Sequence, residues 1–143
     1  MINSFDNYLR LGKAKRKTPD PEEAMALLIQ SQERLSYIGG KEISDKTAKF
    51  VLQDAYESIR EAAQSLMSMR GFKPYSHEAT ISFIKEIYKS NFSEEDIHKF
   101  DNFRELRNNS VYKAARVFKE DANSCLLFAK DFVKKVGPLI KKK

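Results

Sequence analysis

Cysteine is nearly missing from this chain. Cys125 stands alone, so no intrachain disulfide can form, and with only two histidines beside it no structural zinc site can be completed. Glycine and proline are sparse, at five and four residues, and they fall between apolar stretches that repeat every three or four positions. No alternating run longer than a few residues interrupts that pattern, so the chain reads as all-α. Long apolar runs are missing too: none approaches the roughly 20 residues that cross a bilayer. The opening stretch MINSFDNYLRLGKAKRK has no apolar signal region, which predicts a cytoplasmic protein without membrane contact. Phosphate-loop, dinucleotide-binding and zinc-hydrolase motifs (GxxxxGK[ST], GxGxxG, HExxH, CxxC) are absent, so neither cofactor nor metal is expected.

What is present fits one domain of 143 residues. Asp20, Pro21 and Glu23 supply an N-cap, a preset first residue and an N3 acid, which predicts a helix from there to about Ile38, ended by Gly39-Gly40 in the left-handed region. Val51, Ala55, Ile59, Ala62, Leu66 and Met69 mark a long central helix from near Ser44 to Gly71. Ser76 caps a third, and Ser93 with Asp96 forms a capping box for a fourth. A fifth carries Ala122, Cys125, Leu126, Ala129, Phe132, Val133 and Val136 and is predicted to stop at Gly137-Pro138. Short connections make this an antiparallel bundle of four to five helices over residues 20–140, preceded by a basic segment at 1–19 and followed by a basic tail at 141–143.

The formal charge is +6, from 26 basic and 20 acidic residues. Ten of the cations sit in two clusters: Arg10, Lys13, Lys15, Arg16 and Lys17, then Lys134, Lys135 and Lys141 to Lys143. Removing these ten from the 26 leaves 16 basic residues against 20 acidic, so the body is mildly acidic, and the clusters read as solvated ends or, alternatively, as tails that contact nucleic acid. His77 and His98 fall at a helix start and in an early turn, positions of a capping or solvated imidazole, and Cys125 lies on an apolar face. The polar chemistry concentrates in Phe103 to Tyr112. There Arg104, Arg107, Asn108 and Tyr112 present guanidinium groups suited to bidentate phosphate contact, an amide and a phenol. Asp101 and Glu105 stand within reach of Arg104, so the same spacing also describes ordinary helix ion pairs.

Three segments together resemble the HEPN superfamily of small helical bundles found in prokaryotic toxin-antitoxin and defence systems. Gln53 to Ala63 resembles the core helix, Tyr75-Ser76-His77-Glu78-Ala79 the start of the next, and Arg107-Asn108 the family's arginine motif. In that motif a histidine follows about four to six positions after the arginine; here Tyr112 stands in its place. The resemblance implies a homodimer whose arginine motifs face one cleft. In active members that cleft is a metal-independent ribonuclease site, where Arg107 would stabilise charge on phosphorus and Tyr112 would occupy the general base position. An unperturbed phenol, with pKa near 10, is a poor base at neutral pH compared with an imidazole. The resemblance therefore also implies a binding module, with Arg104, Arg107 and Asn108 contacting nucleotide or RNA and a minimal nucleotidyltransferase as protein partner. A purely structural dimerisation domain is the third expectation.

Overall fold

Polar caps and apolar stripes divide the chain into helices α1 (Phe5–Arg10), α2 (Pro21–Gly39), α3 (Ala48–Arg70), α4 (His77–Ile87), α5 (Glu94–Lys113) and α6 (Lys119–Lys141), with strands β1 (Ala14–Arg16) and β2 (Phe72–Pro74). These are the elements of a computed structural model that describes residues 2–141, so of the expected basic tail only Lys141 falls within the described residues. The all-α reading holds, with one antiparallel two-stranded ribbon, β1 against β2, added to it.

α3 is the spine. It packs chiefly against α2 and α6, and small residues on its buried surface, Ala55, Ser58, Ala62 and Ser65, let those helices approach. The serine hydroxyls donate back to carbonyls three residues earlier, Ser58 Oγ to Ala55 O at 2.7 Å and Ser65 Oγ to Ala62 O at 2.6 Å, so burying them leaves no unsatisfied donor. Tyr56, Leu52, Ile59, Leu66 and Met67 fill the remaining space, completely buried. On the edge facing α2, Glu61 of α3 is 1% exposed and accepts two bonds from Arg34, at 3.1 and 2.9 Å; Asp54 takes a third guanidinium contact at 3.2 Å. The forked guanidinium thus gives both oxygens of this buried carboxylate a donor.

The caps behave as the sequence indicates. The Asp20, Ser76 and Ser93 side chains accept from the backbone N–H groups of Glu23, Ala79 and Asp96, and Asp96 completes the box by accepting from Ser93 N. Four expectations need correction. α2 ends at Gly40 with φ −91°, not in the left-handed region. The central helix begins at Ala48, because Ser44 and Thr47 bond to one another in a turn ahead of it. α6 does not stop at Gly137-Pro138 but runs to Lys141. Gly137 has no Cβ to strike the proline ring, only the carbonyl of exposed Lys134 loses its helical donor, and Val136 and Ile140 keep burying the apolar face.

The fourth correction concerns the N-terminal segment, which is no solvated tail. Phe5 and Tyr8 of α1 are buried, and the Phe5 ring meets Phe72 and Phe83 edge-on at 5.2 and 5.3 Å. Glu86 of α4 accepts from Phe5 N at 3.1 Å, and Ser82 donates to Asn3 O at 2.8 Å. Gly71 makes the crossing possible. With φ +86° it closes α3, and its missing side chain would lie 2.7 Å from Lys17 O and 3.1 Å from the Pro19 ring. Gly71→Ala is accordingly expected to lower unfolding free energy by about 1–3 kcal/mol in urea titrations. Gly39→Ala, whose added methyl meets nothing within 4 Å, should stay within about 0.5 kcal/mol of the parent.

Candidate nucleotide-contacting site

The capping box starts α5 so that Ile97, Phe100 and Phe103 enter the core. Asp101, Arg104, Asn108 and Tyr112 then follow one another on the adjoining face at helical spacing. An open concavity of about 530 Å³ lies along that face, lined by Arg104, Glu105, Asn108, Asn109, Tyr112 and Lys113. The helix ends immediately beyond it at Ala114, held at φ +52°.

The two arginines differ sharply in their surroundings. Arg104 has a side chain only 12% exposed and is surrounded by carboxylates: Asp101 at 2.7 Å, Glu78 of α4 at 3.8 Å and Glu105 at 3.8 Å. The ion pairs that its spacing allowed are the ones it makes. Arg107 is half-buried, and its Nη1 donates to Asn108 Oδ1 at 3.1 Å. Among the described residues no carboxylate lies within salt-bridge distance of it. Its guanidinium carbon sits 6.0 Å from the Tyr56 ring centre and 5.9 Å from that of Tyr112, at the outer limit of cation–π attraction. Tyr112 itself is 74% exposed, and its hydroxyl has no hydrogen-bond partner among the described residues. The structure thus brings Arg104, Arg107, Asn108 and Tyr112 to one end of α5, with Arg107 the member whose charge is unspent.

Two residues join this group that the sequence reading did not select. Tyr56 of α3 is fully buried with its ring against Phe100, and its hydroxyl lies 2.8 Å from Nδ1 of His77, the first residue of α4. His77 is therefore a half-buried partner of Tyr56 and not the capping or solvated imidazole expected of it; His98, by contrast, is exposed. Burial pushes the Tyr56 hydroxyl well above the usual phenol range, so it stays protonated. Burial also lowers the His77 pKa, and the nearby cations Arg60 and Arg107 lower it further, against a weaker opposite pull from Glu57. At neutral pH the imidazole is neutral. Along α3, Gln53, Glu57, Arg60 and Gln64 form a polar stripe at steps of four, three and four that borders this cluster. Within it Arg60 is committed to Glu57 and to Gln64, the latter at 2.7 Å. That spacing was the available signal for a polar edge on the core helix.

Because the folded protein disfavours the charged imidazole, the unfolded chain binds the His77 proton more tightly. Stability then rises with pH between the depressed folded pKa and the ordinary value near 6.5, and is lost as pH falls through that window. The melting temperature should therefore drop as pH is lowered from 7 to 5, and His77→Gln should flatten that drop relative to the parent. An identical slope in both proteins would show that His77 is not the group responsible.

A family model described as HEPN domain matches residues 24–139, a stretch that contains α3, the start of α4 and all of α5. No curated protein matches the chain. Among the described residues, no helix is long and apolar enough to cross a membrane. With the match running across most of its length, the chain belongs to the HEPN domain family.

Proposed function

We propose that this HEPN domain is a nucleotide- or RNA-binding module that contacts phosphate through Arg107, with Asn108 orienting the guanidinium and Arg104 and Tyr112 bordering the contact. It works as a homodimer in a toxin-antitoxin or defence system, with a minimal nucleotidyltransferase as protein partner. The observation that carries the reading is the missing counter-ion. Arg34, Arg60 and Arg104 each hold a carboxylate, whereas half-buried Arg107 holds only the Asn108 amide. A cation removed from water without an anion is costly, and a phosphate supplies two oxygens that accept from its planar guanidinium in a bidentate contact. The homodimer is supported by exposed apolar side chains near the same end: Phe50 on the first turn of α3, Val111 on α5 and Phe118 ahead of α6. Gln53 of α3 donating to Ser110 of α5 ties the first two elements together there.

A second reading, the metal-independent ribonuclease, is favoured by one specific observation. In the tautomer that donates Nδ1–H to the Tyr56 oxygen, the neutral imidazole keeps its lone pair on Nε2, where it is competent to accept a proton at pH 7. The imidazole that the arginine motif lacks at Tyr112 is thus offered from α4. Cleavage would form a bond from the ribose 2′-oxygen to phosphorus and break the bond to the 5′-oxygen, with the 2′-hydroxyl proton going to His77 Nε2 and water protonating the departing oxygen.

Charge-assisted hydrogen bonds contribute about 1.5–3 kcal/mol, so Arg107→Ala is expected to weaken RNA binding roughly ten- to a hundredfold, measured by fluorescence anisotropy. An unchanged affinity, with only the dimer equilibrium displaced, would instead indicate a structural dimerisation domain. The same proteins and His77→Gln, incubated with structured RNA in excess EDTA, separate the two readings. Cleavage by the parent alone identifies the ribonuclease, and no cleavage by any of them, with parent binding intact, identifies the binding module.

A further inference from the structure

The N-terminal cations are fixed in place by the β1–β2 ribbon, and its register sorts them. Ala14 pairs with Pro74, Lys15 with Lys73 and Arg16 with Phe72, and the bond from Tyr75 N to Lys13 O at 2.7 Å continues the ladder by one more pair. Successive side chains alternate between faces. Ala14, 1% exposed, and half-buried Phe72 turn inward, where the Phe72 ring meets Phe5 and Phe83. Lys13, Lys15, Lys73 and Tyr75 share the other face, and all four are exposed.

That outer face carries one sign of charge around one ring. The Lys15 and Lys73 ammonium groups each lie 5.6 Å from the centre of the Tyr75 ring, which is 54% exposed. No acidic residue occurs at 12–17 or 71–75. Among the described residues, none of Lys13, Lys15, Arg16 and Lys73 has a salt-bridge partner; Lys17 alone in this group is taken, by Glu23 at 2.9 Å. Like charges placed directly opposite on a ribbon destabilise it, and a two-stranded ribbon has little stability to spare. Lys15 facing Lys73 therefore costs the fold, and an anion seated between them would remove that cost.

We infer that this ribbon face binds single-stranded nucleic acid, with phosphates on Lys13, Lys15 and Lys73 and a base stacked on Tyr75. Ammonium groups flanking an exposed aromatic ring match the alternation of phosphate and base along a strand. An acidic protein segment would satisfy the lysines but has no flat ring for Tyr75. Chain continuity adds direction: Tyr75 is followed by Ser76 and then His77, whose partner Tyr56 lies beneath Arg107. The onward path to Arg107 rests on the RNA-binding reading above; the ribbon as a binding face does not.

The test is fluorescence anisotropy of labelled oligouridylate over a salt series, with the parent, the double variant Lys15→Gln/Lys73→Gln, Tyr75→Ala and Arg107→Ala, each first shown to melt cooperatively. Losing two phosphate contacts should lower the slope of log affinity against log salt by about 1.4. Tyr75→Ala should weaken binding roughly five- to a hundredfold with the slope retained. Parent-like affinity and slope in both ribbon variants would overturn the proposal. So would a parent that binds a mononucleotide through Arg107 but not oligouridylate, or ribbon variants that lose only polyglutamate binding. Loss in Arg107→Ala alone would remove the ribbon and keep the arginine site, and loss in the ribbon variants alone would do the reverse.

Discussion

Burial of α3 between α2 and α6 is the constraint on which the other features depend. A helix enclosed on two sides must be small where its neighbours approach and must satisfy every polar atom it takes inside, and the back-bonded serines and the Arg34–Glu61 fork meet both demands. The edge toward α4 and α5 is polar as well. Tyr56 lies at that edge with its ring in the core against Phe100 and its hydroxyl on His77, so the core itself fixes the position of the imidazole and supports the guanidinium of Arg107.

Charge is distributed with similar economy. The buried and half-buried arginines along α2, α3 and the middle of α5 are matched by carboxylates on neighbouring turns or helices, which is what the mildly acidic body of the chain supplies. Arg107 departs from this matching, and so does the outer face of the β1–β2 ribbon. Both carry positive charge on a well-supported framework, and Tyr75, Ser76 and His77 connect them along the chain. A site for polyanions is expected where positive charge is held rigidly and left uncompensated.

Much of the bundle was legible in the sequence because its signals are local. The caps at Asp20, Ser76 and Ser93 and the end of the central helix at Gly71 depend on a few adjacent residues, and the stripe from Val51 to Met69 on nothing but periodicity. Pro138 misled because its effect depends on what precedes it, and Gly137 removes the clash that would have ended α6. The N-terminal segment misled because its anchoring is entirely non-local: Phe5 finds Phe72 and Phe83, and Lys17 finds Gly71, far along the chain. The site divides in the same way. Helical spacing groups Arg104, Asn108 and Tyr112 correctly, and the proximity of Asp101 foretells that Arg104 is neutralised. That His77 sits on Tyr56 follows from how α3, α4 and α5 pack, and no spacing within one helix encodes it.

The most direct test of the account is to follow the arginine side-chain N–H signals by nuclear magnetic resonance while a uridine monophosphate is titrated in. The Arg107 Nε–H signal, assigned by its loss in Arg107→Lys, should move and saturate, while those of Arg34, Arg60 and Arg104, already held by carboxylates, stay in place. Saturating movement at Arg104 without movement at Arg107, or no saturable movement at any arginine, would contradict the claim that the unpaired guanidinium is where this domain meets phosphate.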